Sequence, residues 1–129
     1  MTQVLSASTL KGDKVVNSVG EDLGSIDELM IELETGKVEY AVLALGGFLG
    51  IGNKLFAVPW DVLHVDKDKK RFVLDVPRET LESAEGLDKS QWPDMADPIF
   101  RQRIFALFNV ASRETQISRA TGTAEPRPD

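Results

Sequence analysis

The chain has no cysteine among its 129 residues, which excludes a disulfide framework, thiolate metal sites and thiol redox chemistry and leaves the cytoplasm as the expected location. It has a single histidine, His64, so a zinc site would have to take its other protein ligands from carboxylates alone. Long apolar runs are missing as well. No stretch approaches the ~20 residues of a membrane span, and Met1-Thr2-Gln3-Val4-Leu5-Ser6 has neither the basic segment nor the apolar core of a signal peptide. The expectation is a soluble protein with no membrane span. An excess of positive charge is the fourth absence: 15 Lys and Arg face 21 Asp and Glu, for a net charge of -6 and a pI near 4.8. That balance opposes the phosphate neutralisation behind most nucleic-acid binding. The charge is uneven, with acids crowding residues 21–39 and Arg101, Arg103, Arg113, Arg119 and Arg127 making the last thirty residues more basic.

What is present reads as one mainly β domain. Over the first eighty residues, short apolar segments alternate with closely spaced turns, the pattern of a small sandwich or barrel. Leu10-Lys11-Gly12-Asp13 and Val19-Gly20-Glu21-Asp22-Leu23-Gly24 put glycines where the backbone must turn through positive φ, leaving Lys14-Val15-Val16 as a short strand. In residues 25–34, Leu29, Ile31 and Leu33 alternate with Glu28, Met30 and Glu32, which predicts one core-facing side. A tight turn at Glu34-Thr35-Gly36-Lys37 leads into residues 38–45, whose β-branched and aromatic run predicts a central strand buried on both faces. Residues 55–65 read as a strand interrupted at Pro59, which cannot donate to the ladder. Asp66-Lys67-Asp68-Lys69-Lys70 is a charged hairpin tip, and Phe72, Leu74 and Val76 alternate inward after it.

From Pro77 the period changes. Residues 77–84 suit a short helical turn, and the polar stretch to Gln91-Trp92-Pro93 closes a β domain read as residues 1–95. Asp97-Pro98 has the chemistry of a helix start, an acceptor side chain at the cap followed by proline in the first turn. Phe100, Ile104, Leu107, Phe108 and Ala111 then recur at spacings of three and four, predicting an amphipathic helix over 96–118 with Arg101 and Arg103 off its apolar stripe. Residues 119–129 are too polar to bury themselves and are expected to form a disordered tail.

The order Leu10-x-Gly12, Val15, Gly20-x-x-Leu23-Gly24-x-Ile26, Thr35-Gly36-x-Val38-x-Tyr40-Ala41-Val42-Leu43, a glycine loop, and Ala57-Val58-Pro59-Trp60 resembles a PRC-barrel domain over about Leu5 to Trp92. The resemblance implies a small β-barrel of short antiparallel strands. Such barrels are known in the cytoplasmic part of the photosynthetic reaction-centre H subunit, in the C-terminal half of a ribosomal small-subunit maturation factor, and in short stand-alone proteins. It also implies an adaptor without catalytic residues. Neither the membrane anchor of the first nor a domain ahead of the barrel as in the second is expected here, so neither of those particular roles is carried over.

The loop Gly46-Gly47-Phe48-Leu49-Gly50-Ile51-Gly52-Asn53-Lys54 is glycine-rich, but Asn53 separates Lys54 from the last glycine and a strand follows where a nucleotide loop needs Ser or Thr and a helix. Its large apolar residues Phe48, Leu49 and Ile51 are candidates for a contact surface, or for a plug at one end of the barrel. Asp66-x-Asp68 lacks the glycine and distal glutamate of a calcium loop. Asp27, Glu28, Glu32 and Glu34 read as a solvated face, His64 as a strand histidine with a hydrogen-bond partner, and Trp60 as core beside its proline. The helix must cover something: its own barrel, a second copy or another protein. Phe100, Ile104 and Phe108 are therefore the helix's candidate partner-binding residues.

No metal, cofactor or catalytic group is expected. The leading expectation is a protein-interaction module, as a homodimer. The alternatives are a ligand binder or enzyme with a pocket at the barrel's end, served by His64, Tyr40 or the acidic strand, and a ribosome- or RNA-associated factor using the basic C-terminal segment.

Overall fold

This computed structural model describes residues 4–48, 52–66 and 68–119, with 47, 48, 52, 53 and 109–119 described through their backbone. The strands are β1 (Lys14–Val16), β2 (Asp22–Glu32), β3 (Lys37–Phe48), β4 (Gly52–Pro59), β5 (Leu63–Asp66) and β6 (Arg71–Leu74). Three α-helices accompany them among the described residues: α1 (Ala7–Leu10), α2 (Arg78–Ser83) and α3 (Pro98–Arg119). A single sheet in the order β4-β3-β2-β1-β6-β5 curls into a half-barrel.

Local chemistry explains most of these boundaries. Pro59 ends β4 on an edge of the sheet, where its missing N–H interrupts no ladder, and the 3-10 turn Trp60–Val62 redirects the chain into β5. Asp97 caps α3: its Oδ1 accepts from the Ile99 N–H at 2.9 Å, and its carbonyl accepts from the Arg101 N–H at 3.0 Å. α1, which the turn chemistry around Gly12 did not suggest, is one helical turn capped by Ser6, whose Oγ accepts from the Thr9 N–H.

Three expectations about the sheet are corrected. The strands are not uniformly short and antiparallel: β2 and β3 run to 11 and 12 residues, and β1 pairs with β6 in parallel. The whole of β2 to β5 lies between β1 and β6, which supplies the long crossover a parallel pair needs. Nor do Leu29, Ile31 and Leu33 share a core face. Leu29 packs on the main core, but Ile31 is 50% exposed, and Leu33 lies beyond the end of β2 at 91% exposed. A register shift between Met30 and Ile31 breaks the alternation, and Met30 instead meets a second apolar cluster.

β3 is buried as expected, but it lies next to the edge strand β4 and not at the centre of the sheet. Ala41, Leu43 and Leu45 face the main core with Leu23, Ile26, Phe56, Val58, Phe72 and Leu74. Tyr40, one residue out of step, faces Ala57 and Phe100 of α3. The helix thus docks on its own sheet, with Phe100 in the second cluster and Phe108 in the main core. Each buried phenylalanine contributes about 1.5–3 kcal/mol.

Two polar side chains clasp the ends of this sheet. Asn17, 5% exposed, accepts through Oδ1 from the Val19 and Glu21 N–H groups and donates through Nδ2 to Glu21 Oε1 and the Val76 carbonyl. Arg78 at the start of α2 donates to the carbonyls of Asp22 (2.7 Å) and Gly46 (3.1 Å) and to Glu82 (2.8 Å). It thereby ties β2 and β3 to the helix that follows β6.

Candidate functional site

The residues singled out for chemistry do not converge. His64 is exposed on edge strand β5, in register with Val73, and has no hydrogen-bonding partner among the described residues, contrary to the expectation of one. Asp66 shapes the hairpin tip, accepting from the Lys69 N–H and from Arg71 Nε at 3.3 Å each. Asp27 and Glu28 pair with Lys89 at 3.0 and 3.6 Å. Glu32 folds back on the β2–β3 turn, where hydrogen bonds from Thr35 hold its carboxyl below the usual range. Among the described residues no group of three or more His, Cys, Asp or Glu is placed to hold a metal ion.

A cavity does form elsewhere. Where the β2–β3 hairpin meets the start of α3, Met30, Ile31, Glu39, Tyr40, Met95 and Arg101 line a volume of about 340 Å³. Arg101 Nη1 donates to Glu39 Oε1 at 2.7 Å, and its guanidinium lies 5.0 Å from the Phe105 ring centroid. Tyr40 is 1% exposed, its ring meeting Phe100 edge-on at 5.8 Å. Its hydroxyl is buried with no acceptor for its own proton among the described residues, beside the Arg101 guanidinium, which can only donate to it. Burial raises the pKa of the phenol; the neighbouring Arg101 guanidinium opposes that rise and Glu39 adds to it.

The glycine loop is the turn of a hairpin: β3 continues to Phe48, which is in register with Gly52 at the start of β4. The Phe48 side chain, Leu49 and Ile51 lie outside the described residues, as do residues 120–129 of the expected tail. A family model for the PRC-barrel domain matches residues 3–81. The chain belongs to the PRC-barrel domain family. A search of curated proteins found no match. PRC-barrel domains are generally non-catalytic and often serve as protein-interaction modules, and no helix among the described residues is long and apolar enough to cross a membrane.

In this PRC-barrel domain the helix candidates fall into two groups. Phe100 and Phe108 are 6% and 1% exposed, their surface spent on the chain's own sheet. Ile104 is half-buried and, with Leu107 and one edge of Phe100, lines a groove of about 460 Å³ between α3 and the segment carrying Leu87 and Pro93, with Arg103 beside it. Trp60 is half-buried against Phe72 at 5.8 Å, and Trp92 remains 37% exposed. Sequence reasoning named Tyr40 among the polar groups of a barrel-end pocket but missed Met30, Met95, Glu39 and Arg101. One signal was available: Leu29, Met30 and Ile31 are consecutive apolar residues in a strand, which requires apolar neighbours on both of its faces.

Proposed function

We propose that this PRC-barrel domain is a non-catalytic protein-interaction module that acts as a homodimer in the cytoplasm. The observation that carries the reading is the family match over residues 3–81, because domains of this kind often hold protein partners. The proposed interface takes in Phe48, Leu49 and Ile51 at the β3–β4 turn and the helix surface around Ile104. Phe100 and Phe108 serve it from within, by holding α3 on the sheet so that Ile104 and Leu107 keep a fixed geometry along their groove. Apolar groups left in water support such a surface: Ile99 at the start of α3 is 65% exposed and Ile31 50%. The cysteine-free composition supports the cytoplasmic assignment. The RNA-associated reading is weaker, because Arg101, one of its basic residues, is already paired with Glu39.

Light scattering after size exclusion tests the proposal. A dimer mass is expected at tens of micromolar, and a Phe48→Ser/Ile51→Ser double variant is expected to be monomeric with an unchanged far-UV spectrum and melting temperature. A native protein that stays monomeric over this range rejects the homodimer. A double variant that loses its fold removes the turn from the interface.

A further inference from the structure

The groove between α3 and the segment before it is apolar within and oppositely charged on its two walls. Leu87 and Pro93 of the segment and Ile104 and Leu107 of the helix enclose about 460 Å³, with Glu85 and Asp88 on the segment's side and Arg103 on the helix's. Asp88 is engaged locally, accepting from the Ser90 N–H and hydroxyl at 2.9 and 2.7 Å. Glu85 and Arg103 are exposed, and neither side chain has an ion-pair or hydrogen-bonding partner among the described residues. Trp92 belongs to the same rim: it lies in the chain between Gln91 and Pro93, which both line the groove, and is 37% exposed. The proline that follows restricts its backbone to extended conformations, so the indole is carried on a stiff stem. Exposed tryptophans held in this way are the side chains that most often anchor an interface. The groove also adjoins the β3–β4 turn, because the Leu87 N–H donates to the Leu55 carbonyl at 2.8 Å near the start of β4.

We propose that this groove is filled by a second copy of the chain, each copy of a two-fold dimer inserting its Trp92 into the groove of the other and receiving the partner's Trp92 in return. The inference rests on the homodimer reading and specifies its helix-side contact. In a two-fold interface one surface serves both copies, so it must carry both halves of every contact. This surface does: a cleft with an exposed indole beside it, and an acid and a base that do not pair within the chain. The two-fold sets Arg103 of each copy against the partner's Glu85, two ion pairs that neither copy makes alone. An uncharged peptide would leave both groups unmatched, and a partner of one charge sign would leave one of them so. The volume of about 460 Å³ is in the range that holds drug-sized ring systems and therefore admits an indole.

The experiment measures the dimer dissociation constant of the full chain and its variants by sedimentation equilibrium. Trp92→Ala is expected to raise it by roughly 100-fold or more, because two anchors are lost per dimer and each is worth at least about tenfold. Arg103→Glu and Glu85→Arg, each of which sets like charges against one another across the two-fold, are each expected to raise it by roughly tenfold or more. The double variant Arg103→Glu/Glu85→Arg exchanges the two charges and should return it to within about threefold of the native value, as should an equal mixture of the two single variants. The charge variants replace exposed side chains without described partners, so they decide the matter even where Trp92→Ala loses its fold. A native dimer that Trp92→Ala leaves intact and folded, or charge reversals that do not rescue one another, overturns the exchange and leaves the homodimer standing on the β3–β4 turn. A native chain that stays monomeric rejects the homodimer and this contact with it, and leaves the groove to a different protein.

Discussion

Gly24 is the position at which a single added methyl group should cost most. It lies in β2 at a φ of +102°, and a Cβ built there would be 2.2 Å from the Ala44 carbonyl oxygen, 2.9 Å from its carbon and 3.1 Å from the Leu45 Cα. All three are backbone atoms of β3, a strand paired on both sides, so no side chain can rotate away to relieve the contact. Gly36, in the β2–β3 turn, isolates the conformational part of the cost: its φ is +76° and nothing lies within 4 Å of its built Cβ. Gly36→Ala should therefore lose about 1–2 kcal/mol, the ordinary penalty of a left-handed conformation for an L-residue. Gly24→Ala should lose that and a further 1–3 kcal/mol or so for overpacking, about 2–5 kcal/mol in all. Urea unfolding of both variants beside the native protein gives the comparison. For a domain of this size the extra loss corresponds to a midpoint lower by about 1 M for Gly24→Ala than for Gly36→Ala. If the two variants unfold within about 0.5 kcal/mol of each other, a difference no larger than ordinary site-to-site scatter, the close packing of β2 on β3 at Gly24 is not what the second glycine of the Gly-x-x-Leu-Gly signature provides.

Asn17→Leu removes the amide that serves Val19, Glu21 and Val76, leaving backbone groups at the turn after β1 without their partner; it is expected to cost about 3 kcal/mol, and a loss below 1 kcal/mol in urea unfolding would show that water replaces the clasp. The response to acid follows from Glu21 and Asp22. Glu21 is held below its ordinary pKa chiefly by the Asn17 amide and then by the Arg78 N–H, and Asp22 chiefly by the Gly24 N–H. A carboxyl whose folded pKa is depressed binds fewer protons folded than unfolded, so its contribution is complete above the ordinary carboxyl range near pH 4 and is lost as pH falls through that range towards the lower folded value. Asp22→Asn keeps an acceptor for Gly24 and removes the titration, so its stability should fall less steeply between about pH 5 and pH 2 than the native protein's; identical slopes would remove Asp22 from the acid response.

How much of this structure could be read in the sequence depends on how far apart the interacting residues lie. Gly12, Gly20, Gly24 and Gly36 all adopt positive φ, Pro59 ends an edge strand and Asp97 caps α3, because each rests on chemistry within four or so residues. Phe100 and Phe108 were legible as buried for the same reason: their spacing along α3 gives them a shared apolar stripe. The parallel pairing of β1 with β6 was not, since Val15 meets Phe72 across 57 positions and nothing in either segment marks the direction of pairing. Ile31 and Leu33 misled because alternation shows that a strand has two unlike faces, but not where the core ends along it or where a bulge shifts the register. The cavity lies further still from local rules. Met30 and Tyr40 come from facing strands, Met95 from the segment before the helix and Arg101 from its first turns. Arg101 read alone is a charge off an apolar stripe, and it becomes part of a site when α3 docks and carries it to Glu39. The same docking takes Tyr40 out of water, with its ring against Phe100 and its hydroxyl beside the Arg101 guanidinium, so the contact that binds the helix to the sheet is also the one that closes over the phenol.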